Sequence, residues 1–322
     1  MNRADLKKLA TYFMESAVRV KPGQKIWVEH QGPDAFPLAL ACIKAVEEMG
    51  GIPYSVNSGG EHLKERLLNA TPDDILRMGK DALAKMQEMS GYIRVDEEDG
   101  LKGFDIPQEK KDLYYSAMEL TDDYRVNKTR WLVTSAPSAA FAKACGQDLP
   151  AFEQFYNSVC LLDYSHMRNA AEPLARLMRQ TDRVHIKGRD TDLTFSIKGI
   201  GAEVCAGEWN IPDGECFSAP VRNSANGTIR FGASKYLNER FEFIQLTYKD
   251  GKIVNAVAEN PGRTAKLNAM LNTDEGSRYI GEFAIAFNPR IKEPMGEILF
   301  DEKIDLHARI TRTILGKWLD KQ

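Results

Sequence analysis

A strand, a helix and a second strand follow one another near the start of the chain, and this order constrains the fold most. Residues Lys25–Glu29 and Ile52–Val56 are short runs typical of strands, and residues 33–49 between them have helical periodicity. Parallel strands need a crossover connection of about this length, usually a helix. The pattern therefore predicts a parallel sheet and an α/β architecture for the N-terminal part of the chain.

The same alternation continues to about residue 180. Two further strands are predicted, at Tyr92–Val95 and Arg130–Thr134. Helices are predicted over residues 5–18, 61–69, 73–89, 108–121, 138–145, 150–158 and 166–179. We expect residues 1–180 to form an N-terminal α/β domain around the parallel sheet.

From about residue 181 onward, short alternating runs replace the helices. Asp250-Gly251 is a typical hairpin turn that leads into Lys252–Val254. Strands are predicted at Val184–Lys187, Asp192–Ile197, Thr228–Phe231 and Phe241–Tyr248. The change predicts a second domain, residues 181–322, with a β-rich α+β fold.

Composition narrows the class of protein. The 322 residues are 43% hydrophobic and 28% charged, which is ordinary for a globular chain, and the net charge of −3 argues against a nucleic-acid partner. No run approaches the length of a membrane span, and no apolar signal segment begins the chain, so no membrane partner is expected. Five widely spaced cysteines without a C-x-x-C pair indicate reduced thiols and a cytoplasmic location.

The common phosphate-binding and catalytic motifs are absent from the sequence. Gly199-Ile-Gly201 is half of a dinucleotide-binding pattern, but it lacks the third glycine, so a plain turn is the better interpretation. The hypothesis of a nucleotide-binding α/β protein would rest only on the strand–helix–strand order at the start of the chain. Fold analogy of that kind does not establish a function.

An acidic segment in the second half carries the most chemical information. Its members are Glu203, Glu208, Asp213 and Glu215. Carboxylates can bind a divalent cation, and one carboxylate can bridge two cations. The alternative is that Pro212-Asp-Gly214 is an ordinary turn and that Glu215 begins a strand exposed to water. Composition alone favours the turn, because charged turn residues are common.

Several sequence blocks match one known family in order along the chain. They are Lys21–Lys25, Asp192–Ile197, Asn210–Pro220, Asn226–Arg230, Gly281–Ile285 and Ile298–Ile304. Together they resemble the thermophilic-type metallo-aminopeptidases, peptidase family M29, over residues 1 to about 305. The block at 210–220 is the most specific of them.

The resemblance implies a metal-dependent aminopeptidase that acts on peptides as a homodimer. Two divalent ions, zinc or cobalt, would hold and activate a water molecule. By this resemblance Glu215 would bind one ion, and Glu282 would bridge both ions and accept the proton of the water. Without the resemblance, Glu282 is a solvated acidic residue at a helix-to-strand junction.

The chain departs from the family pattern after Asp305. The family continues with a histidine ligand, a tyrosine and a His-x-Asp pair, whereas His307 falls a few residues early and no tyrosine or His-x-Asp pair follows it. We therefore expect a second domain truncated at its C-terminus, with His307 as the remaining nitrogen ligand. Residues 306–322 have the apolar spacing of a short amphipathic helix. The alternative function is a catalytically impaired, aminopeptidase-like chain with a binding or dimerisation role.

The other four histidines share no spacing typical of metal ligands. They are His30, His62, His166 and His185. Histidines that bind one metal tend to come in short-spaced pairs, so we expect these four to be structural or surface residues.

Overall fold

The computed structural model describes residues 1–97, 104–236, 239–293, 295, 298–304 and 306–310, with the backbone alone for residues 144, 234–236 and 306–310. The chain divides into two compact units. The first comprises Met1–Tyr164 and Ala206–Asp213, and the second comprises Ser165–Cys205 and Gly214–Gln322. The domain boundary expected near residue 181 stays a prediction.

The first unit combines helices with four strands. Its helices are α1 (Arg3–Tyr12), which continues as a π-helical turn over Phe13–Val18, α2 (Phe36–Glu48), α3 (Gly60–Asn69), α4 (Pro72–Met86), α5 (Gln108–Lys128), α6 (Ala139–Ala144) and α7 (Leu149–Cys160). Its strands are β1 (Lys25–Gln31), β2 (Ile52–Asn57), β3 (Gly91–Asp96) and β4 (Arg130–Ser135).

These four strands form one parallel sheet in the order β2-β1-β3-β4, which confirms the predicted parallel sheet. Val28 of β1 lies opposite Ile93 of β3, and Ile93 lies opposite Leu132 of β4. All three side chains are fully buried. A parallel sheet covered by helices buries both faces of its inner strands, which explains why these strands are almost continuously apolar.

The second unit consists mainly of antiparallel strands. Its helices are α8 (Tyr164–Gln180), α9 (Pro261–Met270) and the short α10 (Ile298–Asp301), with a 3₁₀ turn at Gly276–Arg278. Its strands are β5 (Arg183–Gly188), β6 (Thr191–Ser196), β7 (Glu203–Cys205), β8 (Glu215–Ser218), β9 (Asn226–Phe231), β10 (Ser234–Tyr236), β11 (Glu239–Phe241), β12 (Ile244–Lys249), β13 (Lys252–Ala258), β14 (Ile280–Ala286) and β15 (Leu306–Ile310).

The described strands of this unit form three sheets. A five-stranded sheet has the order β13-β12-β9-β6-β5, a four-stranded sheet has the order β15-β14-β8-β7, and β10 pairs with β11. The turn between β12 and β13 has positive φ at Asp250 and Gly251, as the predicted hairpin turn requires. An α/β part followed by a β-rich part is therefore confirmed as the fold class.

The strand predicted at Phe241–Tyr248 is wrong in one respect. The run belongs to two strands, because β11 ends at Phe241 and β12 begins at Ile244. Phe241 pairs with β10, whereas Ile244 pairs with Phe231 of β9. The alternating sequence pattern continues across a change of sheet, so periodicity alone does not reveal the break.

The helix predicted for the tail is also wrong where the structure describes it. Leu306–Ile310 is strand β15, which pairs antiparallel with β14. The free edge of β14 satisfies the backbone hydrogen-bonding groups of this segment, and such tertiary pairing routinely overrides helical spacing. Residues 311–322, the rest of the predicted helix, lie outside the described residues.

Membrane insertion of a helix was not expected. Within the described part of the chain, no helix combines the length and the apolar character needed to cross a membrane.

Candidate metal centre

The acidic segment forms a hairpin in the second half of the chain. β7 and β8 pair antiparallel, with Cys205 opposite Glu215. On its other side β8 pairs with β14, where Ala286 lies opposite Glu215. Only 7% of Glu215 is accessible to solvent. The water-exposed Glu215 that composition favours is therefore wrong, because its strand has neighbours on both sides.

The loop between β7 and β8 is held by its own hydrogen bonds. The backbone N–H of Gly207 donates to Oδ2 of Asp213 over 2.6 Å, and the backbone N–H of Asp213 donates to the hydroxyl oxygen of Tyr164 over 3.1 Å. Gly207 has a φ of +85°, and a Cβ atom there would lie 2.9 Å from the Tyr164 ring. Only glycine fits, so the loop presents Asp213 in a fixed position.

The same loop runs beside strand β4 of the first unit. The N–H of Val133 donates to the carbonyl of Trp209 over 2.9 Å, and the Thr134 hydroxyl donates to the carbonyl of Ile211 over 2.6 Å. Val133 also forms a parallel bridge with Asn210. These bonds hold the backbone of residues 209–211 against β4. The sequence of these residues does not have the pattern of a strand.

A buried lysine contacts Glu215. The Lys303 ammonium lies 2.6 Å from Oε1 of Glu215 and 2.9 Å from Oε1 of Glu302. Lys303 is fully buried, and the two carboxylate side chains are 10% and 9% exposed. Charged residues are almost never so deeply buried without partners, and this trio forms a compact internal ion-pair cluster.

Three side chains of the hairpin have the geometry of a metal-binding group. Cys205, Asp213 and Glu215 are all buried, and each offers one ligand atom within 4.8 Å of the others. Zinc accepts thiolate sulfur and carboxylate oxygen, so this donor set fits a divalent ion. The next residue, Cys216, does not belong to the group, and burial raises the pKa of its thiol to about 11.

The hairpin does not bring Glu282 into this group. Glu282 is half-buried on β14, four positions before Ala286, the register partner of Glu215. At roughly 3.3 Å per residue the offset along the strands is about 13 Å. The backbone of His307 on β15 lies opposite Ala284, at a register between the two glutamates. The ligand roles of Glu282 and His307 stay predictions.

Among the described side chains, no histidine joins the group. His185 Nε2 lies 2.8 Å from Oδ1 of Asp192 on the exposed β5–β6 hairpin. His30 is buried at the end of β1 against the ring of Phe36, and burial lowers its pKa. His185 is therefore a surface residue, and His30 is a core residue.

The sequence assigned no role to Cys205 or Lys303, and it indicated Asp213 only as one carboxylate of the acidic segment. Asp213 had the appearance of a turn residue, and Cys205 of an isolated thiol. Lys303 stands in a block that carried the family resemblance, but its contact with Glu215 spans 88 residues of sequence. The one feature of the sequence that places Asp213 near the site is the turn Pro212-Asp-Gly214, which directly precedes Glu215.

The structure therefore defines a two-unit protein, an α/β part and a β-rich part, with a buried group of side chains that could bind a metal ion. Comparison with known proteins identifies its family. The chain belongs to the thermophilic metalloprotease family M29, whose model matches residues 2–314. Hydrolase activity follows from this membership, and the family uses divalent metal.

Similar proteins are named aminopeptidases. Aminopeptidase 2 of Geobacillus stearothermophilus is 25% identical over 88% of this chain and 77% of its own length. Aminopeptidase T of Thermus thermophilus is 24% identical over 95% of this chain and 83% of its own length.

Solved structures share the fold. AmpT from Thermus thermophilus superposes with a TM-score of 0.79 at 21% identity, over 95% of this chain and 85% of that one. A 2,5-dihydroxypyridine dioxygenase from Pseudomonas putida KT2440 has a TM-score of 0.58 at 14% identity, over 94% of this chain and 84% of its own. Because an oxygenase has a similar fold, the fold by itself does not decide the chemistry.

Proposed function

We propose that this chain is a metal-dependent aminopeptidase that releases N-terminal residues from peptides. The observation that carries the proposal is the buried group of Cys205, Asp213 and Glu215 in a member of the M29 family. Buried carboxylates are costly unless they are hydrogen-bonded or paired with a cation. Lys303 and the N–H of Gly207 already satisfy part of this requirement, and a divalent ion at the group would add a further cation and supply the chemistry of peptide hydrolysis.

Glu215 would hold one of two divalent ions, zinc or cobalt, and Glu282 would bridge both, with His307 as a nitrogen ligand. When bound, such ions polarise the scissile carbonyl and lower the pKa of a water molecule. The Glu282 carboxylate would accept the proton of that water. The hydrogen bond from Gly207 to Asp213 keeps one further carboxylate in place.

We also propose that the protein is a cytoplasmic homodimer. None of the five cysteines forms a disulfide, which suits a reducing compartment. The dimer follows from the family resemblance, and closed two-fold dimers are the commonest oligomers of soluble proteins.

The test is metal content and peptide hydrolysis measured on the same preparation. After purification without chelator, we expect bound divalent metal and release of the N-terminal residue from leucyl anilides, both lost after treatment with chelator and restored by zinc or cobalt. A chain that binds no ion even with metal in excess would contradict the proposal.

The second candidate is the catalytically impaired chain with a binding or dimerisation role. It is favoured by one observation, namely that no described histidine side chain joins the buried group. Nitrogen ligands are typical of catalytic zinc sites. Stoichiometric metal without turnover on any of a panel of aminoacyl anilides would favour this candidate over the enzyme.

A further inference from the structure

Lys303 places its side-chain nitrogen directly beside the proposed metal ligand. Its ammonium lies 2.6 Å from Oε1 of Glu215 and 2.9 Å from Oε1 of Glu302, and its side chain is fully buried. Bonds between an ammonium and a carboxylate at such distances are the strong class of hydrogen bond. The lysine therefore contacts the same carboxylate that a metal ion would use.

The backbone holds Lys303 in this position. Its N–H donates to the carbonyl of Phe300 at the end of α10, and its carbonyl accepts from the N–H of Asn288 over 3.0 Å. Phe287, next to Asn288, donates its N–H to the carbonyl of Gly214, which precedes Glu215. Lys303 and Glu215 are thus both tied to the segment that follows β14.

A metal ion and the ammonium act on Glu215 in opposite ways. Without metal, the ammonium stabilises the buried carboxylates, since a buried charge that loses its partner is strongly destabilising. A divalent ion bound to Glu215 would experience repulsion from the same ammonium. At 4 Å and an effective dielectric constant near 20, the energy between two unit charges is enough to change an affinity by more than about tenfold.

We propose that Lys303 is a positioning residue that holds Glu215 ready in the metal-free chain and weakens divalent-metal binding there. The inference rests on the proposed role of Glu215 as a metal ligand. Its signature is a pair of opposite effects, because loss of Lys303 lowers the stability of the metal-free chain but raises its affinity for metal. A purely structural lysine would produce the first effect without the second.

The experiment compares Lys303→Met with wild type and with Lys266→Met. Lys266 is half-exposed in the same unit and lies 2.6 Å from Glu239, so it is a matched control for loss of an ion-paired lysine. Zinc affinity is measured by competition with a chromophoric chelator, and the melting temperature is measured with chelator and with zinc. We expect Lys303→Met to bind zinc at least about tenfold more tightly and to melt lower in chelator, with a larger gain on adding zinc. Lys266→Met should behave like wild type in zinc affinity.

A second variant covers the case in which Lys303→Met does not fold. The double variant Glu302→Gln, Lys303→Met removes one charge of each sign and leaves Glu215 intact, and it too should bind zinc more tightly than wild type. If both variants are unfolded in chelator, zinc should restore their folding. Zinc affinity equal to or weaker than that of wild type, or failure to fold with zinc present, would overturn the inference.

Glu215→Gln separates this inference from the proposed function. If that variant binds zinc as wild type does, then Glu215 is not a ligand and the proposed metal centre fails. If Glu215→Gln weakens zinc binding but Lys303→Met does not strengthen it, only the role of Lys303 is wrong.

Discussion

Glu215 is the residue at which burial changes the interpretation of the sequence most. As part of a proline- and glycine-containing turn it had the composition of a surface residue, yet only 7% of it is exposed. A carboxylate at the start of an inner strand must be balanced by hydrogen bonds or by cations. In this position water does not screen its charge, so the carboxylate can interact strongly with a cation.

Replacing Glu215 with glutamine is expected to weaken zinc binding by about tenfold or more, because the change removes the charge of a proposed ligand with little change in volume. The measurement is a zinc titration monitored by competition. Glu203→Gln is the matched control, because Glu203 is an exposed residue on the paired strand β7. Equal affinities in the two variants would remove Glu215 from the metal site.

His30 gives the molecule a predictable pH dependence. Burial lowers its pKa, and its Nδ1 atom is buried without a hydrogen-bond partner among the described residues. As pH falls toward and below the usual histidine value of about 6.5, the unfolded chain binds a proton at this residue more readily than the folded chain does. Stability must therefore decrease in that window, since the unfolded state then binds more protons.

The expected result is that His30→Gln reduces the loss of stability between pH 7 and the onset of acid unfolding. Urea unfolding at a series of pH values from 7 to about 5.5 measures this slope. His62→Gln, which removes an exposed histidine on α3 of the same unit, is the matched control and should leave the slope near that of wild type. A steeper or unchanged slope in His30→Gln would show that the proton uptake occurs elsewhere.

At the scale of single elements, helix α4 begins at a reciprocal cap. The N–H of Asp74 donates to the Thr71 hydroxyl over 3.2 Å, and the N–H of Thr71 donates to Oδ2 of Asp74 over 2.9 Å. Each bond satisfies a backbone donor that the first turn of a helix leaves free.

Thr71→Ala is expected to destabilise the folded chain by about 1 kcal/mol, because it removes the acceptor for the Asp74 N–H. Thr71→Ser keeps the hydroxyl and should stay close to wild type. The comparison uses urea midpoints at constant pH. An alanine variant as stable as the serine variant would mean that solvent replaces the cap without cost.

The elements that the sequence predicts best are those that fold through local patterns. The strand runs Lys25–Glu29 and Ile52–Val56 enclose a segment with helical spacing. This local order predicted the parallel sheet. Strand β15 did not, since the helical spacing of its residues competes with an open edge on β14 that no local pattern reveals. Strand β7 was not predicted, and β8 was considered only as a strand that begins at Glu215, because three or four residues carry too little periodicity.

The candidate site was predictable only in part for a related reason. Glu215 was found through the resemblance of residues 210–220 to a family. Lys303, which lies against it, is 88 residues away in sequence, and its burial depends on how α10 follows β14. Contacts of this range are set by tertiary structure, so an ordinary lysine in the sequence gives no sign of them.

For the whole molecule, fold and chemistry are separate questions. The chain shares its fold with AmpT and, less closely, with a dioxygenase. What distinguishes hydrolysis from oxygenation in such a fold is the set of ligands and the groups around them. The buried lysine and the acidic hairpin are therefore more informative about this protein than its strand order.

The oligomeric state is a property of the whole molecule. The family resemblance implies a homodimer, and a two-fold interface uses the same surface on both copies, so association depends on concentration and not on a second component. Light scattering after size-exclusion chromatography should give about twice the chain mass of 36.2 kDa at micromolar concentration. Dilution should either leave that mass unchanged or lower it smoothly toward one chain. The same measurement on Glu215→Gln is the control, since Glu215 is buried inside the hairpin and its replacement should not alter the mass. A mass of one chain that persists as concentration rises would contradict the dimer and would require each copy to complete its metal centre alone.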